Sequence, residues 1–352
     1  MIQSDWSKIL ITLAVGALSG WAFTFMQVPL AWLIGAMIVT TVLALSGIPV
    51  HASTNLRTAV IPVLGIMLGS AFTPETLSQF SNWVVSLTTL ILFICAIMAI
   101  VGVFFYKSFG MGPVTAYFAS APGGLVTMAI MGQHYGGDDR AITLVHSIRI
   151  LLTVLIIPIS FRLFAGYQPD SSSGLQLAAN IGLYDAGILI SSALVGYGVA
   201  KVLRIPSANL VGPMLASALV HGLGWTTSAP PVALINVAQV VIGIGVGVRF
   251  AGVSIQKVAR TLKAGALSTL LMIVLAAAIS ILLAKITGLP FAALMLAFAP
   301  GGLAEMALVS LAMGIDTAFV STHHLVRVLF MIFFAPVVFA AIKRFLPTQN
   351  KS

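Results

Sequence analysis

Glu305 is the one acidic residue that lies well inside an apolar segment, three residues after Gly302. The chain has eight Asp and Glu residues, and the other seven fall in polar connections or at segment ends. A carboxylate in apolar surroundings is costly unless it is paired, hydrated or protonated. Glu305 is therefore a candidate site for a proton or Na⁺. The alternative is a structural carboxylate that an arginine neutralises.

Two His–Arg pairs also carry charge into apolar segments: His146 with Arg149, and His324 with Arg327. The i, i+3 spacing places each pair on one face of a helix. An arginine there needs an anion, such as a substrate carboxylate or Glu305, while histidine can relay protons near neutral pH. Alternatively, the arginines satisfy backbone carbonyls at nearby helix breaks. The pattern leaves both interpretations open.

These residues belong to an internal repeat with an offset of 178 residues. Ala121-Pro122-Gly123-Gly124-Leu125 returns as Ala299-Pro300-Gly301-Gly302-Leu303. The same offset relates further pairs, namely Met128 and Met306, Gly136 and Gly314, Asp138 and Asp316, His146 and His324, Arg149 and Arg327, and Pro158 and Pro336. Thr127 is the counterpart of Glu305, so the two halves of the predicted site differ chemically.

Each Ala-Pro-Gly-Gly sequence should interrupt a helix, because proline lacks an amide donor and glycine lacks side-chain constraint. The flanks of the first break, 111–120 and 125–133, would each be about 14 Å long as helices, half a bilayer. The amides that open the second half-helix form a site for an anionic group. We therefore predict a substrate- or ion-binding site made of Pro122, Gly123, Gly124, Thr127, His146, Arg149, Pro300, Gly301, Gly302, Glu305, His324 and Arg327.

The composition identifies lipid as the main solvent of this chain. Of 352 residues, 59% are hydrophobic and only 7% are charged, too few charges to cover a soluble protein. The net charge of +9 comes from scattered Lys and Arg, so we expect no nucleic-acid partner. Cys95 is the only cysteine, which excludes a disulfide framework and a Cys-based metal site. We expect no catalytic residues, metal or cofactor, and hence no enzyme.

The elements are predicted to be helices only, in an all-α membrane protein of about 10–12 transmembrane segments. We assign residues 1–166 to a first repeat, 167–181 to a linker, 182–345 to a second repeat and 346–352 to a C-terminal tail. The Gly65 and Gly69 pair and its counterpart, Gly243 and Gly247, should let other helices approach closely. The six apolar segments of each half run over 8–27, 30–47, 58–73, 82–107, 112–134 and 140–165, and over 183–203, 208–224, 233–250, 263–285, 290–313 and 317–342.

The basic residues favour two inverted halves. If each broken segment crosses once, the fifteen Lys and Arg outside the spans divide eight to seven between the two sides. If it re-enters, thirteen fall on one side and only Arg162 and Lys285 on the other. Because basic loops stay in the cytoplasm, the second topology is favoured, with both termini cytoplasmic in a bacterial inner membrane.

The tandem Ala-Pro-Gly-Gly, His-x₂-Arg and Pro pattern, with Gly-Ile-Met-x-Gly-x₂-Phe upstream, resembles the duplicated bacterial AbrB-like membrane-protein family. Members of that family are labelled regulators of gene expression or ammonia monooxygenases. More distantly, the broken segment looks like the crossed, broken helix of bile-acid-type sodium symporters and the wider cation-antiporter/anion-transporter group. That resemblance implies inverted repeats and a core domain that moves against a scaffold.

Three functional hypotheses follow. The first is a secondary transporter of a small polar or anionic solute, coupled to a proton or cation, with the lipid bilayer and the solute as partners and a homodimer left open. The second is a membrane sensor that affects gene expression indirectly. The third, a membrane oxidase, requires bound metal, for which these residues offer no ligand set.

Overall fold

The computed structural model describes residues 2–166 and 181–342, and in these ranges it is helical with no β-strand. This confirms the all-α prediction. Nearly all of the predicted linker, residues 167–180, and the whole predicted tail, 346–352, lie outside the described residues. The assignment of two sequence repeats stays a prediction.

The helices follow the predicted apolar segments closely. Seven of those described are long and apolar enough to cross a membrane, which indicates a multi-pass membrane protein. Helices such as α2 and α3, of 15 and 16 residues, are shorter than the ~20 residues that span a bilayer, so the total of 10–12 spans stays a prediction. The helices are α1 (Ile2–Phe25), α2 (Ala31–Leu45), α3 (Thr54–Gly69), α4 (Pro74–Ser78), α5 (Val84–Phe109), α6 (Pro113–Ser120), α7 (Leu125–His134), α8 (Asp139–Ala165), α9 (Leu183–Val202), α10 (Ala208–Gly222), α11 (Val232–Gly247), α12 (Ile255–Thr287), α13 (Phe291–Phe298), α14 (Leu303–Ala312) and α15 (Thr317–Ile342).

The chain folds into two compact units, and each unit takes segments from both sequence halves. Unit 1 comprises the described parts of Met1–Trp83, Val154–Ser254 and Ala304–Ser321. Unit 2 comprises the described parts of Val84–Thr153, Ile255–Leu303 and Thr322–Ser352.

In unit 1, the third helix of each sequence half packs on the second helix of the other half. In unit 1, α1 packs on α2 and α9 packs on α10, while α3 packs on α10 and α11 packs on α2. Helices α3 and α11 also contact each other. Each half therefore completes the other half's helix pair.

Glycines make these helix contacts close. A Cβ atom added at Gly65 would lie 2.6 Å from the carbonyl oxygen of Leu210, and one at Gly243 would lie 2.5 Å from that of Leu33. The same holds four residues on, at Gly69 and Gly247. The predicted packing role of the glycine pairs is confirmed, because no larger residue fits between the backbones without a shift.

The order of these contacts gives the helix directions in unit 1. From Gly65 to Gly69 the facing residue of α10 advances from Leu210 to Met214, so α3 and α10 run parallel. From Gly243 to Gly247 the facing residue of α2 advances from Leu33 to Thr40 and Thr41, so α11 and α2 also run parallel.

Candidate functional site

The first helix break lies where the sequence predicts it. Helix α6 ends at Ser120, α7 begins at Leu125, and Ala121 and Gly124 have extended backbone conformations. The first turn of α7 has no side-chain cap at Gly124, and the amide of Met128 is the first to bond back to Gly124, at 2.9 Å. The preceding amides, from Leu125 to Thr127, remain available as donors at a positive helix end.

Helices α6 and α7 form an antiparallel hairpin within unit 2. The amide of Asp138 donates to Thr115 Oγ1 at 2.9 Å, and the rings of Phe118 and Tyr135 stack with centroids 5.8 Å apart. A Cβ atom at Gly132 would lie 3.4 Å from Cβ of Phe118. The end of α7 therefore returns to the start of α6, which is the geometry of the re-entrant alternative and not of a single straight rod.

The second break also lies where it was predicted. Helix α13 ends at Phe298, α14 begins at Leu303, and Ala299 leaves the helical conformation with φ −57° and ψ 141°. Pro300 and Gly301 are buried, while Gly302 is half-buried. Pro122 of the first break is likewise buried, and Gly123 and Gly124 are half-buried.

The two arginines donate hydrogen bonds to the backbone of the breaks. Arg149 Nη1 donates to the carbonyl of Ala121 at 3.1 Å, and Arg327 Nη1 donates to the equivalent carbonyl of Ala299 at 2.6 Å. Both arginines are buried, at 4% and 3% exposure. The carbonyls of an interrupted helix lose their intrahelical donors, and these guanidinium groups replace them. The structural alternative for the two arginines has this direct geometric support.

The histidines fasten the preceding half-helices in the same way. His146 Nε2 lies 3.0 Å from the carbonyl oxygen of Phe118, and His324 Nε2 lies 2.9 Å from that of Leu296. A carbonyl only accepts, so Nε2 carries the proton in both rings. Each His–Arg pair thus holds the end of one half-helix and the break that follows it.

The pairs differ in what the second amino group of the arginine does. Arg149 Nη2 donates to Nδ1 of His146 at 3.1 Å, which fixes that imidazole as neutral. Arg327 Nη2 instead donates to the carbonyl of Gly301. Nδ1 of His324 is left buried without a hydrogen-bond partner. The second break is therefore held at two carbonyls and the first at one.

Both breaks border one small cavity in unit 2. The cavity is lined by Pro122, Pro300 and Arg327, by Phe298 at the end of α13, and by apolar side chains of α5 and α12. Its volume, about 10 Å³, is close to what one water molecule needs. The two interruptions thus border one space, which holds no more than about one water molecule.

The remaining predicted site residues occupy the first turns of the second half-helices. Thr127 is half-buried in α7, with Oγ1 3.6 Å from the position of a Cβ on Gly124. Glu305 is half-buried in the first turn of α14 and belongs to unit 1. Within that unit, Glu305 lies close enough to Arg249 to attract its guanidinium group electrostatically. Arg149 and Arg327, the predicted counter-charges, belong to unit 2 and donate to the carbonyls described above.

Sequence reasoning missed two polar groups. His323, which is not among the predicted site residues, lies with Nε2 2.9 Å from Ser86 Oγ, 237 residues away along the chain. Arg249 is one of the fifteen basic residues outside the predicted spans and begins the surface, 249–263, where the regulator hypothesis expects a partner, but it is not among the predicted site residues. Its equivalent in the first half is Ala71, so the repeat gave no signal, although an arginine that ends an apolar helix was itself a hint.

Comparisons with known proteins agree with the tandem pattern. A sequence profile described as "Transition state regulatory protein AbrB" matches residues 32–343. The chain is 27% identical over 356 residues to the "Uncharacterized protein YhjN" of Bacillus subtilis (strain 168), which covers 94% of this chain and 91% of that protein. It is 24% identical over 329 residues to the "Putative regulator AbrB" of Escherichia coli (strain K12), which covers 93% of this chain and 94% of that protein. Because the profile spans most of its length, the chain belongs to the AbrB family.

Proposed function

We propose that this protein is a secondary transporter that moves a small polar or anionic solute across the bacterial inner membrane by alternating access. It is not an enzyme in this proposal and needs no cofactor. The observation that carries the proposal is the meeting of two helix breaks, through Pro122 and Pro300, at one small cavity in unit 2. Interrupted helices at membrane depth are tolerated where protein buries them or where they line a wet path, and paired ones commonly form transporter binding sites.

The helix directions in unit 1 support inverted halves. The second and third helices of a half run in opposite directions if both cross the membrane. If the halves had the same orientation, α2 would therefore run antiparallel to α11, the third helix of the second half. The contacts of Gly243 with Leu33 and of Gly247 with Thr40 indicate a parallel pair instead. Inversion with both termini in the cytoplasm is consistent with the distribution of basic residues.

In this proposal, Glu305 is the coupling group and Thr127 is its neutral counterpart. Glu305 is one of few acidic residues and sits at the positive end of a half-helix, where a carboxylate is favoured. Arg149 and Arg327, with His146 and His324, hold the breaks at Gly123, Gly124, Gly301 and Gly302 in shape so that the first amides of α7 and α14 can face the solute. The lipid bilayer and the solute are the expected partners, and a homodimer is left open.

Uptake by purified protein tests this proposal. Metabolites that differ between cells with and without the protein define the candidate solutes. Each candidate is then offered to proteoliposomes under an imposed proton or Na⁺ gradient, with empty liposomes as the control. We expect uptake of at least one solute above the control, and no uptake of any candidate under any gradient would overturn the transporter.

The second candidate function is that of a membrane regulator. It is favoured by the description of the matching family profile and by the printed name of the Escherichia coli relative. This function predicts a protein partner on the cytoplasmic side, near 249–263, that survives purification in mild detergent. A stable partner together with absent flux would favour the regulator.

A further inference from the structure

Two arginines of unit 1 converge on one glycine of α11. Arg249 follows α11 in a short 3₁₀ turn, Val248–Phe250, and its Nε donates to the carbonyl of Gly245 at 3.2 Å. Arg57, in the first turns of α3, lies against the same glycine, with Cδ 3.9 Å from the position of a Cβ on Gly245. Two positively charged side chains thus lie against the same glycine in unit 1.

One donor of this pair is unsatisfied. Nη1 of Arg249 is buried and has no hydrogen-bond partner. Buried polar groups in native proteins nearly always have a partner, and a donor on a charged group is the most costly to leave without one. This nitrogen therefore calls for an acceptor from outside the chain.

The local charge balance selects an anion as that acceptor. Arg57 repels Arg249 electrostatically, and the carboxylate of Glu305 attracts it. Two positive charges thus face one negative charge, so this part of unit 1 keeps a net positive charge. An oxyanion offers two acceptor oxygens in the geometry that a guanidinium fork prefers.

We propose that Arg57 and Arg249 form a binding site for a small oxyanion, a carboxylate or a phosphate, and that Glu305 is the exchangeable counter-charge of this site. The proposal rests on the proposed transporter function and names its substrate class. When the oxyanion pairs with Arg249, Glu305 loses its attracting cation. A carboxylate in such surroundings is then stabilised by a proton or a cation, so the solute anion and the coupling ion enter together.

Equilibrium binding of radiolabelled succinate and of inorganic phosphate to the full-length protein in nanodiscs tests the proposal. Arg249→Gln should weaken binding of the preferred anion by about tenfold or more, as expected for a charge-assisted, bidentate contact. Glu305→Gln should strengthen the same binding by about threefold or more, because a competing charge is removed. The preference for succinate or phosphate separates the two kinds of oxyanion.

A matched control and a double variant make the test specific. Arg204→Gln removes an exposed arginine from a turn of unit 1. In this part of the chain the repeat has an offset of 177 residues, so the variant introduces the residue type of its counterpart, Gln27. We expect this variant to bind like the wild type. In the Arg249→Gln background, Glu305→Gln should no longer strengthen binding. If Arg249→Gln does not fold, Arg57→Gln and Glu305→Gln still test the proposal, because the first should weaken binding of the anion and the second should strengthen it.

The outcomes for the anion site and for transport can be told apart. If neither anion binds, or if Arg57→Gln and Arg249→Gln bind like the wild type, the anion site is wrong even if another solute is transported. If the anion binds and the variants shift binding as expected while no flux occurs under any gradient, the site stands and the transporter fails.

Discussion

Replacing Arg327 with Met should destabilise the protein strongly, because the side chain of Arg327 holds the second helix break together. Its two terminal nitrogens donate to the carbonyls of Ala299 and Gly301. Methionine has a similar length but no donor, so both buried carbonyls would lose their partner. The same change at Arg149 would release the carbonyl of Ala121 and the imidazole nitrogen that Arg149 now contacts.

The expected cost follows from the number of groups left unsatisfied. Each buried acceptor without a partner costs about 1–3 kcal/mol, so two such groups give about 2–6 kcal/mol for Arg327→Met. Two effects reduce this value. Removing a buried charge relieves its desolvation penalty, and the cavity beside Arg327, with about 10 Å³ of free space, has room for one water to bond to a released carbonyl. We therefore expect the lower half of that range.

Reversible unfolding by SDS in mixed micelles, followed by tryptophan fluorescence, measures the free energy of unfolding. The control is Arg260→Met, at an exposed position on α12, which should change stability by less than about 0.5 kcal/mol. The reasoning is refuted if Arg327→Met and Arg149→Met are as stable as the control. If they are also impaired in solute binding, the arginines are solute ligands and not supports of the breaks.

Two smaller changes test the packing of each unit. A Cβ atom at Gly196 would lie 2.4 Å from the carbonyl oxygen of Gly212, whereas one at Gly198 meets nothing within 4 Å. Gly196→Ala should therefore lower the free energy of unfolding by about 1–3 kcal/mol, while Gly198→Ala should raise it by up to about 1 kcal/mol. Equal shifts of the melting temperature in the two variants would contradict this. Thr115→Val removes the acceptor of the Asp138 amide and should cost about 1 kcal/mol, with faster hydrogen exchange at that amide. Thr115→Ser, which keeps the hydroxyl, should exchange like the wild type, and an unchanged rate in Thr115→Val would count against the hairpin contact.

The helix breaks could be predicted from the sequence because their cause is local. Proline lacks the amide that a helix needs, and paired glycines add no side-chain constraint. Helix α6 accordingly ends at Ser120 and α7 begins at Leu125. The close approach at Gly65 was also predictable, since its i, i+4 spacing with Gly69 puts both small residues on one helix face.

The partners of the charged groups could not be predicted, because they depend on tertiary contacts. Arg149 and Ala121 are 28 residues apart, and the spacing of the motif alone does not say whether a guanidinium faces a carbonyl or a solute. The pairing of Glu305 was harder still. Its attracting cation in unit 1, Arg249, has no charged equivalent in the first half, where Ala71 takes its place.

Coupling at Glu305 tests the proposed transport mechanism most directly. Proteoliposomes loaded with a pH-sensitive dye report proton movement, and the radiolabelled form of the solute identified above reports solute movement in the same vesicles. The experiment can be repeated with a Na⁺ gradient. We expect the wild-type protein to move solute against its gradient when a proton or Na⁺ gradient is imposed, and Glu305→Gln to lose this accumulation while it still exchanges solute across the membrane. Unchanged, ion-driven accumulation by Glu305→Gln would contradict the assignment of Glu305 as the coupling group.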